Sequence, residues 1–398
     1  MTKKFFLKKK YKILFIQPIQ AFSGSLKSSE EYIKNLRNKF NFIFLTQKGF
    51  SSKILKNYGK VFVSYGICKF DNTQNSHYVG FRWILIIREF FYLFFSIFNL
   101  LKIKCFIKGI DVIHLNEFTG LPTAIIAKLI FNKPLIVHVR SLNYKDNKSV
   151  VSNLYLKILQ KFADKIIAID KDVLETVNIK NKSIILRNIL DIKYNHFKKF
   201  RKKKNILKIG YIGTLVKYKG IEVLIKAVKE LILKGYQIEL TIAGSFIKRN
   251  FFIKKIFQCL KIDNNIDEKL LENKFIKNLG FIKNIEKFYK KIDLLCFPSS
   301  LNATGRQIFE AGIFSIPVIV CLKRNKSDGI THKYNGLIYS NFFSTRQLQE
   351  KILFFYNNRK QIKIMGNNGR KIAIKRNIKK KNIERLNSIY MEQIKYIN

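Results

Sequence analysis

Two stretches hold residues whose types and spacing could do chemistry. The first, Gly213-Thr214-Leu215-Val216-Lys217-Tyr218-Lys219-Gly220, follows an apolar run and precedes a helix-periodic one. Glycines at a strand-to-helix turn let backbone N–H groups approach a phosphate at the positive helix end. Lys219 would add a point charge there. Gly210, Gly213 and Gly220 make neither GxGxxG nor Walker spacing, so a plain turn explains them equally well. The second stretch is Pro298–Gly312: a strand ends, a polar loop carries Asn302, and a helix starts near Thr304-Gly305. Glu310 falls mid-helix between Phe309 and Ala311. A carboxylate in so apolar a helix is either partly exposed or accepts hydroxyls in the crevice that Lys219 faces.

Those residues need elements to hold them, and the hydrophobic pattern supplies two series. The N-terminal half predicts strand Ile13–Ile16, a loop with Gly24-Ser25, a helix opened by Ser28-Ser29-Glu30-Glu31, and strand Phe42–Leu45. Strand Val112–Leu115, helix Leu121–Phe131, strand Leu135–Val139, helix Asn153–Phe162 and strand Ile166–Ile169 continue it. The second series predicts strand Leu207–Ile212, helix Ile221–Leu233 and strands Ile238–Ala243 and Leu279–Ile282. Helix Ile285–Ile292, strand Leu294–Phe297, helix Gly305–Phe314 and strand Val318–Leu322 complete it. Alternation of this kind means parallel sheets covered on both faces. The expected organisation is a Rossmann-like domain over 1–190, a basic linker 191–205 and a second Rossmann-like domain over 206–375. A helix over 376–398 follows, and its stripe Ile383, Leu386, Tyr390, Ile394, Ile397 should pack back on the N-terminal domain.

Composition bounds the partners. The 398 residues carry 76 Lys and Arg against 26 Asp and Glu, a net charge of +50, yet 47% are hydrophobic, so a disordered polybasic chain is excluded. The cations are 62 Lys to 14 Arg, alongside abundant Ile, Asn and Phe. AT-rich coding would produce that mixture, making a lysine-coated surface the plainest reading; attraction to an anionic membrane comes second. Nucleic acid is the weakest, because base and phosphate recognition favours the guanidinium fork. Five unclustered cysteines without CxxC or ligand spacing argue against disulfides and structural zinc and suit a reducing cytoplasm. Residues 83–101 are apolar except Arg88, Glu89, Ser96 and Asn99. The central Arg-Glu pair makes bilayer insertion costly, and Lys102, Lys104 and Lys108 suit a helix lying on anionic headgroups.

Lys219-Gly220 after a glycine turn, Leu279-Gly280-Phe281, Phe297-Pro298-Ser299, Glu310-Ala311 and Gly312 to Pro317-Val318-Ile319 occur in that order. This set resembles glycosyltransferase family 4, the group 1 glycosyl transferases. The N-terminal half agrees through Gly24-Ser25, Asp111–His114, Lys133–His138, Ala163–Ile167 and Asn188–Asp191. The resemblance implies the GT-B fold, two Rossmann-like domains facing across a cleft. It implies retaining, hexosyl-type transfer from a UDP- or GDP-linked sugar to a glycan or lipid-linked glycan, without a metal or other cofactor, in bacterial surface polysaccharide or lipopolysaccharide synthesis. Carried over by residue, Lys219 would bind the diphosphate with backbone N–H groups of Gly213, Thr304 and Gly305. Glu310 would accept from the ribose hydroxyls, and Gly24 and Ser25 would sit near the donor phosphates.

The chain departs from that pattern at three places. Asn302 replaces the first acid of the Glu-x7-Glu pair, and Thr214 replaces the usual phosphate-binding Arg, for which Arg306 could substitute. The family's strand-end His corresponds to either His138 or Arg140, two apart on one strand face. The alternatives are a hydrolase or epimerase of nucleotide sugars, a basic nucleic-acid-binding protein, and a GT-B scaffold with degenerate activity. The protein is expected in the cytoplasm or attached at the inner membrane face.

Overall fold

The structure is a computed structural model that describes residues 10–21, 23–74, 78, 80–144, 149–190, 206–247 and 265–395. The chain divides into two units, one comprising Met1–Asp191 with Ile378–Asn398, the other Ile192–Asn377. The stretch read as a basic linker lies outside the described residues.

The first unit is built on seven parallel strands: β1 (Tyr11–Gln17), β2 (Phe40–Gln47), β3 (Gly59–Ser64), β4 (Val112–Leu115), β5 (Leu135–Val139), β6 (Lys165–Ala168) and β7 (Ser183–Ile185). Their spatial order is β3-β2-β1-β4-β5-β6-β7. Its helices are α1 (Gly24–Leu36), α2 (Phe50–Leu55), α3 (Leu85–Phe106), α4 (Leu121–Phe131), α5 (Val150–Phe162) and α6 (Lys171–Thr176). The second unit orders six parallel strands as β10-β9-β8-β11-β12-β13, with β8 (Leu207–Ile212), β9 (Ile238–Ala243), β10 (Ile276–Asn278), β11 (Leu294–Phe297), β12 (Val318–Cys321) and β13 (Gly336–Tyr339). Helices α7 (Ile221–Leu233), α8 (Ile285–Tyr289), α9 (Arg306–Ile313), α10 (Thr345–Asn357) and α11 (Arg359–Arg376) belong to it. Both units are Rossmann-like, and two apolar clusters in each cover both faces of its sheet. Strand order reverses direction between β1 and β4 and again between β8 and β11, the points where open α/β sheets leave a crevice beyond their carboxyl ends.

Helix α12 (Lys379–Lys395) belongs to the first unit. Its stripe Leu386, Tyr390 and Ile394 is buried against Ile13, Phe15 and Phe40, with Ile383 at the margin; Ile397 lies outside the described residues. Two predicted elements are misplaced. Helix α1 starts at Gly24 rather than Ser28, because Ser23 caps it by accepting from the Leu26 N–H (3.2 Å), while Ser28 and Ser29 are buried one turn in. Strand β10 ends before Leu279, because Gly280 adopts φ +59 and turns the chain; Leu279 and Ile282 pack on the core from a loop.

Candidate functional site

In the second unit the chain past β8 turns at Gly213 and closes at Gly220, whose φ of +74 and contact with the Pro298 carbonyl exclude any side chain. Both Ser300 N–H (2.9 Å) and Ser300 Oγ (3.1 Å) donate to the Tyr218 carbonyl, so the loops after β8 and β11 are laced together at the switch point. Lys219 is half-buried there with its Nζ 5.5 Å from the Phe297 ring centroid. Among the described residues no hydrogen bond or ion pair reaches that ammonium, and burial lowers its pKa. Beside it, α9 opens at Gly305 with no side-chain cap, and the Ile308 N–H turns back to the Gly305 carbonyl (3.1 Å). A Cβ built at Gly213 comes 3.8 Å from the Gln307 amide, so turn and helix start are adjacent. Thr214 is exposed; Thr304 is buried, its hydroxyl 3.5 Å from Ser327 Oγ. Lys219, Gly213 and Gly305 thus lie around Phe297 and Gln307, at the carboxyl ends of β8 and β11.

Two of the sequence expectations change here. Glu310 is buried rather than partly exposed, and both its oxygens are engaged: Arg306 Nε donates to Oε1 (2.8 Å) and Tyr289 OH to Oε2 (3.1 Å). Arg306 therefore does not extend towards a phosphate. One helical turn before Glu310, its charge is spent on that carboxylate, because a buried Glu beside a buried Arg satisfies both desolvated ions. Asn302 sits at φ +52, a backbone state Asn tolerates, and its Oδ1 accepts from the Lys323 N–H (2.8 Å), joining the loop after β11 to the end of β12.

The first unit carries a polar cluster at its own switch point. Asn116, just past β4, donates to Gln17 at the end of β1. Its Oδ1 accepts from Arg140 Nε (2.7 Å) and lies 2.7 Å from Ser29 Oγ on α1, which in turn is 2.8 Å from the Ser25 carbonyl. Arg140 also donates to Asn188 Oδ1 (2.9 Å) and contacts His138 Nδ1 (3.2 Å). Gly24 is exposed with nothing within 4 Å of a built Cβ, so the first turn of α1 is open to approach. Ser25 and Arg140 are brought to one place.

His138 is not available at that place. It is 1% exposed, 5.4 Å from the His114 ring, and beside an internal cavity of about 10 Å³. Burial, then the Arg140 charge, holds His138 well below its ordinary pKa and takes His114 to about 3. Arg140, at the strand tip, is the member of the pair that meets solvent. Sequence reasoning missed Gln17, Asn116, Glu117 and Ser141, and took Asn188 only as part of the resemblance. Glu117 is buried, accepts from Ser141 Oγ (2.8 Å) and the Phe118 N–H (3.0 Å), and burial pushes its carboxyl up to about 7. The available signal was position: each lies at or just past the carboxyl end of a strand in a parallel sheet. Among the described residues no three His, Cys, Asp or Glu side chains gather as a metal-ligand set.

Residues 193–372 match the family described as glycosyl transferases group 1. That match takes in 180 of the 398 residues, all of them in the second unit. The chain is 27% identical over 280 residues to the uncharacterized glycosyltransferase MJ1178 of Methanocaldococcus jannaschii, covering 67% of this chain and 72% of that protein. It is 28% identical over 167 residues to the capsular polysaccharide biosynthesis glycosyltransferase CapM of Staphylococcus aureus, 41% of this chain and 40% of that one. Among solved structures, Anabaena HepE in complex with UDP-glucose superposes with a TM-score of 0.70 at 16% identity, over 96% and 99% of the two chains. That likeness shows the GT-B fold.

Proposed function

We propose that this protein is a glycosyl transferase that moves a hexosyl group from a nucleotide-sugar, UDP- or GDP-linked, to a glycan or lipid-linked glycan with retention at the anomeric carbon, in bacterial surface polysaccharide synthesis. The observation that carries the donor assignment is the ammonium of Lys219, without a partner among the described residues, beside the start of α9 at the β8/β11 switch point, where no side chain caps the helix. As the bond from anomeric carbon to phosphate breaks, negative charge collects on the leaving diphosphate, and fixed N–H dipoles with a poorly solvated ammonium stabilise that charge. Glu310 accepts the ribose hydroxyls through the lone pairs that Arg306 and Tyr289 leave on its two oxygens. Asn302 supplies a neutral hydrogen bond to the sugar, and Arg140 with the first turn of α1 meets the acceptor-side charge. The capsule-synthesis name of CapM and the UDP-glucose in HepE support the glycan class and the nucleotide donor. Catalysis by this reading needs no protein-bound metal, since the cations that neutralise the diphosphate are side chains and helix dipoles.

The test is thermal shift of the protein against UDP-, GDP- and ADP-sugars, followed by transfer assays with the donor found. A donor at about 100 times its Kd adds about 2.7 kcal/mol to stability. No response to any nucleotide-sugar would leave the degenerate-scaffold reading in its place. Product anomers read by NMR decide retention.

A further inference from the structure

Helix α3 is amphipathic the wrong way round for a water-soluble domain. It turns its polar side chains inward: Glu89 accepts from the Lys69 N–H (2.9 Å), Ser96 from the Cys68 N–H (2.9 Å), and Asn99 donates to Ser64 Oγ (3.1 Å). Leu100 and Ile103 complete that buried face. The opposite face presents Ile87, Phe90, Phe91, Phe94 and Phe98 to solvent at spacings of three and four, Phe98 being 66% exposed. So contiguous an apolar patch marks a surface that something covers. Past it, Lys102, Lys104 and Lys108 are exposed, and Lys60 Nζ lies 5.5 Å from the Phe106 ring centroid. That end of the helix borders a groove of about 330 Å³ at the amino ends of β1 to β3. Lys12, Arg37, Lys60 and Lys108 line it, and among the described residues no acid does.

We propose that α3 lies in the plane of an anionic lipid bilayer, with its phenylalanines at the acyl boundary and the groove holding a lipid phosphate. The charge pattern selects this occupant. An apolar face ending in a groove whose charged lining residues are all cations complements an anionic surface, whereas a second copy of a chain with net charge +50 would meet its own repulsion. The three inward hydrogen bonds bind α3 along its own domain, and a spanning orientation would break them. The inference stands apart from the donor and acceptor assignments, since it concerns the opposite end of the strands from Arg140.

The full-length protein carries its own probe, because Trp83, its sole tryptophan, is exposed just ahead of α3. Vesicles of phosphatidylglycerol and phosphatidylcholine should blue-shift Trp83 emission and sediment the protein. Phosphatidylcholine alone should bind at least roughly 100-fold more weakly. The F90S/F94S/F98S variant should lose at least roughly tenfold in partitioning with an unchanged Tm, and K102E/K104E/K108E should lose the preference for anionic lipid. If the serine variant fails to fold, the charge-reversed one decides. Wild-type binding by both variants would overturn the proposal. So would retention in the pellet after alkaline carbonate extraction, which would mean a spanning helix. A dimer in sedimentation velocity that the serine variant dissociates, without vesicle binding, would assign the face to a second copy.

Discussion

The two switch points share a strand order and differ in what their polar groups do. At β1/β4 the side chains answer one another: Gln17, Asn116, Arg140, Asn188 and His138 form one chain of contacts, and Glu117 is held by Ser141. At β8/β11 the polar groups are backbone N–H of an uncapped helix and an ammonium with no partner among the described residues. Satisfied hydrogen bonds fix geometry, while unsatisfied ones are a standing cost that a ligand can remove. The contrast makes the Lys219 ammonium the group that gains most from an anionic ligand, while the first cluster holds Arg140 in place at the strand tip.

The largest test of that contrast is Lys219→Met. It should lower kcat/KM by about 1000-fold, about 4 kcal/mol of transition-state stabilisation, yet raise Tm by about 1–3 °C, because a desolvated, unpartnered cation is removed. Steady-state transfer and calorimetry together check it, and a fall in Tm would mean the lysine is structural. Next is Glu310→Gln, with about 100-fold lost activity and about 2–4 kcal/mol lost stability, since it leaves Arg306 buried beside a neutral partner. The double change Glu310→Leu with Arg306→Met should recover most of the stability in urea unfolding and none of the activity. If activity returns, the carboxylate has no part in donor binding.

Smaller differences sharpen the first cluster. Arg140→Gln should slow transfer by roughly 30-fold with modest loss of stability, whereas His138→Asn should cost about 1–2 kcal/mol of stability and under roughly threefold in rate. Reversal of that order would return the catalytic role to the histidine. The smallest effect is a slope. Glu117 is raised in the folded state above its unfolded value, so wild type holds this proton between about pH 4 and 7 when the unfolded chain does not. Its contribution therefore falls as pH rises across that window, by roughly 1 kcal/mol per unit. Glu117→Gln should remove that component, so that urea midpoints of variant and wild type diverge in the variant's favour from pH 5 to 7.5. Parallel curves would show that the carboxyl titrates normally.

Much of the fold was legible because parallel strands buried on both faces read as plain apolar runs: β4, β5, β8, β9 and β11 begin and end where the residues do. Strand β3 was not, since Lys60 and Val63 are exposed on a sheet-edge strand and its apolar content reads as ordinary surface. At the β8/β11 switch point the turn was legible because Gly220 sits where no side chain fits, and Lys219 is its neighbour in sequence. The Arg306–Glu310 pair was not recognised, although spacing of four on a helix permits it, because burial of both ends depends on Tyr289 arriving from another helix. His138 misled for the reverse reason: a strand-end histidine looks reactive until its neighbours close over it.

Helix α12 has a consequence for how the protein is made. One apolar face of the first sheet, including Phe15, Phe40 and His114, is sealed by Leu386 and Tyr390, the latter 2.8 Å from His114 Nδ1. A ribosome delivers that seal only after the whole second domain has emerged. The domain begun first is thus the one finished last, and nascent chains wait with an uncovered aromatic surface that chaperones can hold and that premature termination would leave permanently bare.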